Sequence, residues 1–145
     1  MFYGYYEHNL DDKGRLMIPS KLREGLSSGA SLYVIKGFEG CLSIYNEVAF
    51  NDLCSKLKAL AYEDKEARSY IRNVFSSVVQ LNVDKLGRIQ IPVLTLSKYN
   101  ISRSVAVIGV GDHFEVWDLD SYKKYEESNS KSFEDFSDKL VKNNG

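Results

Sequence analysis

The sequence predicts a β-dominated α+β fold, in which two copies of one unit close a small β-barrel about a pseudo-twofold axis. A motif of Asp, Gly, Arg, two aliphatic residues and Pro occupies residues 10–19 and recurs at residues 83–92 with all its members in the same register. Apolar and polar residues alternate on both sides of each motif, as they do in β-strands. Two amphipathic helical patterns lie between the copies. One copy alone would leave sheet edges exposed, so we expect the two copies to pair edge to edge.

Length and composition indicate one folded domain. A hydrophobic fraction of 43% in 145 residues is enough for a proper core, and no apolar run approaches the roughly 20 residues that span a bilayer. We therefore expect a soluble, cytoplasmic protein. A net charge of −1 excludes nucleic-acid binding through overall charge, so DNA binding would require local basic patches, multiplied by oligomerisation. Cys41 and Cys54 lack a zinc-like spacing and are expected to be buried thiols.

Each copy is expected to begin with a β-hairpin. Gly14 and Gly87 lie at the tight corners of the two turns, where a positive φ favours glycine. Apolar or inward-facing residues alternate on both sides of each turn, at His8, Leu10, Leu16 and Ile18 in the first copy and at Leu81, Val83, Ile89 and Ile91 in the second.

A short helix and two strands are expected to follow each hairpin. Pro19 and Pro92 open the helices, and Gly25 and Asn100 close them, which is the usual asymmetry of helix ends. The strands are predicted by short apolar runs at residues 32–35 and 41–45 in the first copy and at residues 105–108 and 114–117 in the second.

Helical patterns join the two copies and end the chain. Residues 47–61 and 63–78 each carry one apolar stripe at helical spacing, and residues 119–142 are helical apart from a break at 128–130. The predicted organisation is a single domain made of repeats 1–45 and 79–118, connecting helices in residues 46–78, and a helical C-terminal tail at 119–145.

Motifs spread over residues 1–117 resemble those of the MraZ family. They are Met1-Phe2-x-Gly4, His8, Asp11-x-Lys13-Gly14-Arg15, Pro19, Lys21-x-Arg23-Glu24-Gly25-Leu26, Gly40-Cys41-Leu42, Ala67-Arg68 with Arg72, and Asp84-x-x-Gly87-Arg88. The hairpin alone also resembles the AbrB and MazE swapped-hairpin DNA binders, which build from two chains what this chain would build from one.

The resemblance implies a double-split, AbrB-like β-barrel and a ring-shaped homo-oligomer of eight subunits. It further implies sequence-specific binding to direct repeats in double-stranded DNA, upstream of the cell-division and cell-wall gene cluster that includes the chain's own gene. The protein would then lie in the cytoplasm at the nucleoid, with no cofactor, no metal, no membrane partner and no small-molecule substrate. The chain departs from the family at Leu86, which is an apolar turn residue, and at Ser76-Ser77-Val78, where relatives tend to have glycine.

The first turn holds the preferred candidates for DNA contact. Lys13 and Arg15 flank Gly14. The planar Arg side chain can hold a guanine edge or a phosphate with two hydrogen bonds, and Lys offers a point charge to phosphate. The alternative is that Arg15 only bridges Asp11 and steadies the turn; the resemblance favours DNA contact. Asp11 and Asp84 are interpreted as orienting residues, because a carboxylate repels phosphate.

The other basic candidates have two open interpretations each. Lys85 and Arg88 either contact DNA or serve the barrel or a neighbouring subunit, and the apolar Leu86 favours a second turn that mainly completes the fold. Lys21 and Arg23 either contact backbone phosphate or lie on an exposed helix.

A basic stripe on the second connecting helix is flanked by acids. Lys65, Arg68 and Arg72 share one helical face beside Glu63, Asp64 and Glu66. This pattern favours a solvated or subunit-bridging face over a phosphate-binding one.

The predicted function is a DNA-binding transcriptional regulator that acts as a ring. In a head-to-tail ring all turns run the same way round, which suits direct repeats. The alternative is an oligomeric protein-interaction module without DNA readout. Catalysis is not expected, because the sequence has neither a GxSxG nucleophile motif nor a GxxxxGK[ST] phosphate loop.

Overall fold

A computed structural model of the protein describes residues 1–144. The fold is α+β and rich in antiparallel strands. In chain order the elements of the described residues are β1 (Phe2–Asn9), β2 (Arg15–Met17), α1 (Ser20–Arg23), β3 (Ser31–Lys36), a 3-10 turn (Phe38–Gly40), β4 (Leu42–Asn46), α2 (Glu47–Lys58), α3 (Lys65–Ser77), β5 (Val79–Asn82), β6 (Arg88–Gln90), α4 (Val93–Lys98), β7 (Ser104–Gly111), β8 (His113–Asp118), α5 (Leu119–Ser128) and α6 (Ser132–Asn144).

The strands form a six-stranded sheet and a separate two-stranded ribbon. The sheet order is β1-β7-β8-β4-β3-β5, and the ribbon pairs β2 with β6. The strands β1, β2, β3 and β4 of the first copy correspond to β5, β6, β7 and β8 of the second. When each strand is replaced by its counterpart, the sheet order reads the same in the opposite direction. The register obeys the same exchange, since Asn9 pairs with Ser104 in one half and Asn82 pairs with Ser31 in the other. The duplication visible in the sequence therefore extends to the hydrogen-bonded ladders.

The expected hairpins are wrong in their strand pairing, although their turns are present. In the first copy β1 pairs with β7 and β2 pairs with β6, so the two strands that flank the turn diverge to different partners. The ribbon is antiparallel, with Leu16 opposite Ile89. A local alternation of apolar and polar residues marks a strand but does not specify which strand lies beside it. Pairing with strands of the other copy buries the same apolar residues that a local hairpin would bury.

The main core contains side chains of both the sheet and the ribbon. Leu16 and Ile89 of the ribbon belong to one buried cluster with Leu32, Ile44 and Phe114 of the sheet, and each of these residues is at most 1% exposed. In the described residues no ladder joins β1 to β5, the two outer strands of the sheet. The expected closed barrel is therefore not seen as a continuous ladder, and it stays a prediction.

Helices cover the other face of the sheet. The predicted helices at 47–61 and 63–78 are confirmed as α2 and α3, which pack through Ala49, Leu57 and Val74 against Ile35 and Tyr45. The stripe on α3 is buried only in part, because Tyr70 and Phe75 are 38% and 42% exposed.

The C-terminal tail is helical, as predicted, and its break lies between α5 and α6. Helix α5 packs on the sheet beside a small cluster of Cys41, Ala106 and Trp117. All described side chains from Ser130 to Asn143 are exposed. Of the two thiols, Cys41 is buried as expected, whereas Cys54 is only half-buried. Within the described part of the chain, no helix is both long and apolar enough to cross a membrane.

Candidate nucleic-acid interface

The first turn is organised by the carboxylate of Asp11. Its Oδ1 accepts hydrogen bonds from the backbone N–H groups of Lys13 and Arg15, both at 2.9 Å, and its Oδ2 accepts from Nε of Arg15 at 2.6 Å. The backbone closes the turn, since Gly14 N–H donates to the carbonyl of Asp11 and Asp11 N–H donates to that of Arg15. Gly14 has a φ of +78°. Asp11 therefore fixes both the turn and the direction of the Arg15 side chain.

The second turn repeats this arrangement atom for atom. Oδ1 of Asp84 accepts from the backbone N–H groups of Leu86 and Arg88, at 2.9 and 2.8 Å, and Oδ2 accepts from Nε of Arg88 at 2.8 Å. Gly87 has a φ of +85°. The interpretation of Asp11 and Asp84 as orienting residues agrees with these contacts.

Both arginines keep their outer nitrogens available. Each guanidinium meets its Asp through Nε, and in the described part of the chain neither side chain donates a further hydrogen bond through Nη1 or Nη2. The Arg15 and Arg88 side chains are 31% and 26% exposed. The two interpretations of Arg15 are therefore compatible, because an Arg held by its Nε still presents a fork of two nitrogens.

The hydrogen bonds also stabilise the charged form of each carboxylate. The backbone N–H of Arg15, followed by its side chain, lowers the pKa of Asp11 from 3.8 to about 2. The same contacts from Arg88 lower the pKa of Asp84. Both carboxylates are ionised at neutral pH, so both arginines remain oriented there.

The ribbon brings the two arginines onto one surface. Leu16 and Ile89 point into the core, and the alternation places Arg15, Met17, Arg88 and Gln90 on the opposite face. Arg15 lies opposite Gln90, and Arg88 lies opposite Met17. Gln90 Nε2 also donates to the carbonyl of Lys13. Sequence reasoning missed Met17 and Gln90, although the period-two pattern on either side of the buried residues marks their positions.

The basic residues around the turns are distributed unevenly. Arg23 belongs to the first copy but lies against the second turn, where a Cβ added to Gly87 would collide with its guanidinium. Its Nε is buried without a hydrogen-bond partner. The first turn has Leu96 in the equivalent place, close to Gly14. The interpretation of Arg23 as a residue of a plain exposed helix is therefore corrected, because its side chain is half-buried against the turn of the other copy.

The residues at the tips of the two turns also give the second turn the more positive charge. At the first turn, Asp12 accepts a hydrogen bond from Arg103 Nη1 at 3.1 Å, and both side chains are exposed. At the second turn, the corresponding position is Lys85, which is exposed, and Leu86 follows with 61% exposure. Lys13 and Lys21 are exposed as well. No sequence signal pointed to Arg103, whose neighbour Asp12 is far away along the chain.

These features define a class of internally duplicated proteins, in which strands of one copy pair with strands of the other and two arginine-bearing turns lie on one surface. The chain matches the family described as "MraZ protein, putative antitoxin-like" over residues 1–73 and again over residues 74–144. It is 40% identical over 140 residues to a protein of Mesoplasma florum named "Transcriptional regulator MraZ", covering 97% of this chain and 95% of the relative. Relatives of the same name from Acetivibrio thermocellus and Heliobacterium modesticaldum are each 38% identical over 141 residues, covering 97% of both chains. The chain belongs to the MraZ family, whose curated relatives are transcriptional regulators.

Proposed function

We propose that this protein is a sequence-specific regulator of transcription that binds double-stranded DNA through its two Asp–Arg turns. One observation carries the proposal: each Asp holds its Arg by Nε and leaves both Nη nitrogens available. A guanidinium in this state can donate two parallel hydrogen bonds to O6 and N7 of a guanine. The names of the relatives support a role in transcription.

The ribbon has a suitable size for a DNA groove. The major groove is about 12 Å wide and admits a two-stranded β-ribbon. Arg15 and Arg88 occupy diagonal positions on the exposed ribbon face, and diagonal cross-strand neighbours are about 7–8 Å apart. Two arginines at this separation reach base pairs two steps apart, because successive base pairs are about 3.4 Å apart.

The remaining candidates supply contacts to the DNA backbone. Lys13 and Lys85 lie on the turns, and Lys21 lies on α1, so each offers a charge to phosphate. Arg23 adds a second guanidinium to the second turn, beside Gly87. The second turn therefore has at least as much positive charge around it as the first, and we include both turns in the DNA interface.

Assembly would provide the affinity that one subunit lacks. We propose that copies of the chain, each a closed barrel built from repeats 1–45 and 79–118, form a ring of eight subunits. Turns on neighbouring subunits would engage direct repeats together, and joint engagement raises avidity by about 10²–10⁴. The proposed operator lies upstream of the cell-division and cell-wall gene cluster that includes this gene, which places the protein at the nucleoid. This explains how a chain of net charge −1 binds DNA.

A second candidate function is an oligomeric protein-interaction module without DNA readout. The observation that favours it is the apolar tip of the second turn, where Leu86 is 61% exposed beside Lys85. An exposed leucine gives little to a phosphate backbone, but it fits an apolar pocket on a protein.

A binding series on the DNA upstream of the chain's own gene tests the proposal. Wild type, Arg15→Ala and Arg88→Ala are compared by fluorescence anisotropy at several salt concentrations, with Lys58→Ala, which removes an exposed cation at the end of α2, as the control. Each turn variant should bind about 10- to 100-fold more weakly than wild type, while the control loses little. Wild-type binding should weaken linearly with the logarithm of salt concentration. No wild-type binding, or equal binding by all four proteins, would overturn the DNA interface and favour the protein-interaction module.

A further inference from the structure

The outer face of the ribbon carries one pair of equal groups and one pair of unequal groups. Arg15 and Arg88 occupy equivalent positions and make the same contact to an Asp. Met17 and Gln90 are also equivalent, since each follows the motif arginine of its own copy by two residues. Met17 is 38% exposed, and Gln90 is exposed as well. The pseudo-twofold symmetry of this face is therefore broken by a thioether on one side and an amide on the other.

The amide of Gln90 is held in place through one of its donors. Its Nε2 donates to the carbonyl of Lys13 at 3.1 Å. A side-chain amide has two N–H hydrogens and a carbonyl oxygen, and among the described residues the second hydrogen and Oε1 have no further partner. A side chain fixed in this way loses less conformational entropy when it binds. Gln90 thus presents one donor beside one acceptor, which is the pattern that pairs with N7 and N6 of adenine in the major groove.

The side chain of Met17 has the opposite chemistry. In the second turn Leu86 corresponds to Lys13, and a thioether has no hydrogen to donate to the Leu86 carbonyl. Methionine is apolar and flexible, so it suits the C5 methyl group of thymine and offers no donor to the polar edges of the other bases.

Each of these two residues lies next to the arginine of the other copy. Gln90 is directly opposite Arg15, and Met17 is directly opposite Arg88. Directly opposed residues have Cβ atoms about 4.5–5.5 Å apart, which is between one and two base-pair steps of about 3.4 Å. Gln90 therefore reaches a base pair beside the one that Arg15 contacts, and Met17 reaches a base pair beside the one that Arg88 contacts.

We propose that Gln90 and Met17 determine the base pairs that flank the two guanines, with Gln90 selecting adenine and Met17 selecting the methyl group of thymine. The inference rests on the DNA interface of the proposed function and adds what the arginines cannot supply. Two equal arginines about a pseudo-twofold axis fit a site equally well in both orientations. Unequal neighbours give the chain one preferred direction on the duplex, and a direct repeat is a repetition of a site with a direction.

Base selection by ribbon variants provides the test. Full-length wild type, Gln90→Met and Met17→Gln are each incubated with a library of duplexes that carry a short randomised segment, and the bound duplexes are sequenced. Asn51→Met is the matched control, since it replaces an exposed amide on α2, which packs on the other face of the sheet. Circular dichroism confirms that each variant is folded, and anisotropy on the selected duplexes measures the affinities.

Wild type should select two G·C pairs with unlike flanking pairs, one with adenine and one with thymine in the contacted position. Gln90→Met should lose the adenine and select a site whose two flanks are alike, and Met17→Gln should gain adenine at the second flank. Gln90→Met should bind the wild-type site about 5- to 100-fold more weakly, and it should no longer distinguish that site from one without the adenine. Asn51→Met should select the wild-type site. These results together support the inference.

Other results overturn the inference, and they separate it from the proposed function. If Gln90→Met and Met17→Gln select the same flanks as wild type, these residues do not contact bases, while selection of the two guanines leaves the arginine interface standing. If wild type selects two flanks that are alike, Gln90 and Met17 give the site no direction. If wild type binds all duplexes equally, the inference and the sequence-specific function fail together.

Discussion

The two Asp–Arg turns share one hydrogen-bond pattern, yet the groups packed behind them differ. Behind Gly14 lie the Ile91 carbonyl and the Leu96 side chain, whereas behind Gly87 lies the guanidinium of Arg23. Both turns accept a backbone hydrogen bond at their glycine, from Ile91 and from Ile18, but a side chain added at the first glycine meets backbone and one added at the second meets the Arg23 side chain. The repeat conserves the geometry that aims an arginine, while the charge around that arginine varies. Four predictions test how far this difference extends.

Replacement of the turn glycines should give the largest difference between the turns. Gly14→Ala introduces a side chain at φ +78° and sets a Cβ 2.6 Å from the Ile91 carbonyl oxygen, so we expect it to destabilise the protein by about 3 kcal/mol. Gly87→Ala has the same backbone strain but meets an Arg23 side chain that can move, so about 1–2 kcal/mol is expected. Urea unfolding measures both values. An equal loss of stability in Gly87→Ala and Gly14→Ala would show that the Arg23 side chain yields no more than the backbone does.

Removal of the two arginines compares the turns in DNA binding. Arg15→Ala and Arg88→Ala should each weaken DNA binding by about 1–3 kcal/mol. Arg23→Ala should weaken DNA binding by a smaller amount, because Arg23 lies beside the second turn only. Titration of labelled upstream DNA measures these affinities. If Arg88→Ala binds like wild type, only the first turn reads DNA, and the second serves the fold.

The wild-type protein and an Asp11→Asn variant should differ in stability at neutral pH and become equally stable in acid. The pKa of Asp11 is lowered to about 2 in the folded state, so its carboxylate stabilises the protein above the unfolded pKa of about 3.9. That stabilisation is lost as the pH falls through about 2. Urea unfolding midpoints of the two proteins should therefore differ at pH 6 and converge between about pH 4 and 2. Asp84→Asn should show the same trend. A difference between the unfolding midpoints that stays constant at every pH would contradict the stabilising role of the Asp11 carboxylate.

The smallest effect is expected at the tip of the second turn. Leu86 occupies the position that corresponds to Lys13. Leu86→Lys should add one phosphate contact and steepen the dependence of log affinity on log salt by about 0.9. Affinity measurements from 50 to 200 mM salt determine this slope. An unchanged slope would place the tip of the second turn outside the DNA interface, with Lys13→Leu as the reciprocal control.

The turns and most elements could be predicted from the sequence because their signals are local. Asp11, Gly14 and Arg15 interact within five residues, and the helices α2 and α3 follow from apolar residues at helical spacing. The partners of β1 and β2 could not be predicted, because a period-two pattern carries no information about which strand lies alongside.

The candidate site shows the same limit. The side-on contacts of Arg15 and Arg88 follow from the motif, and so does the role of each Asp. The position of Arg23 against Gly87 depends on the crossing of strands between copies. The pairing of Arg103 with Asp12 depends on the same crossing. A sequence pattern within one hairpin carries no signal for either contact.

The crossed strand pairing also sets the order in which a nascent chain can fold. Phe2 pairs with Gly111, and Leu16 pairs with Ile89, so the earliest strands wait for partners near the other end of the chain. Translation proceeds at about 5–20 residues per second, so β1 is without its partner for about 5 to 20 s on the ribosome. During that time its backbone groups and the apolar side of β2 are exposed to other nascent chains. Two neighbouring chains on one message could exchange these strands, and chaperone protection early in synthesis would suppress that exchange.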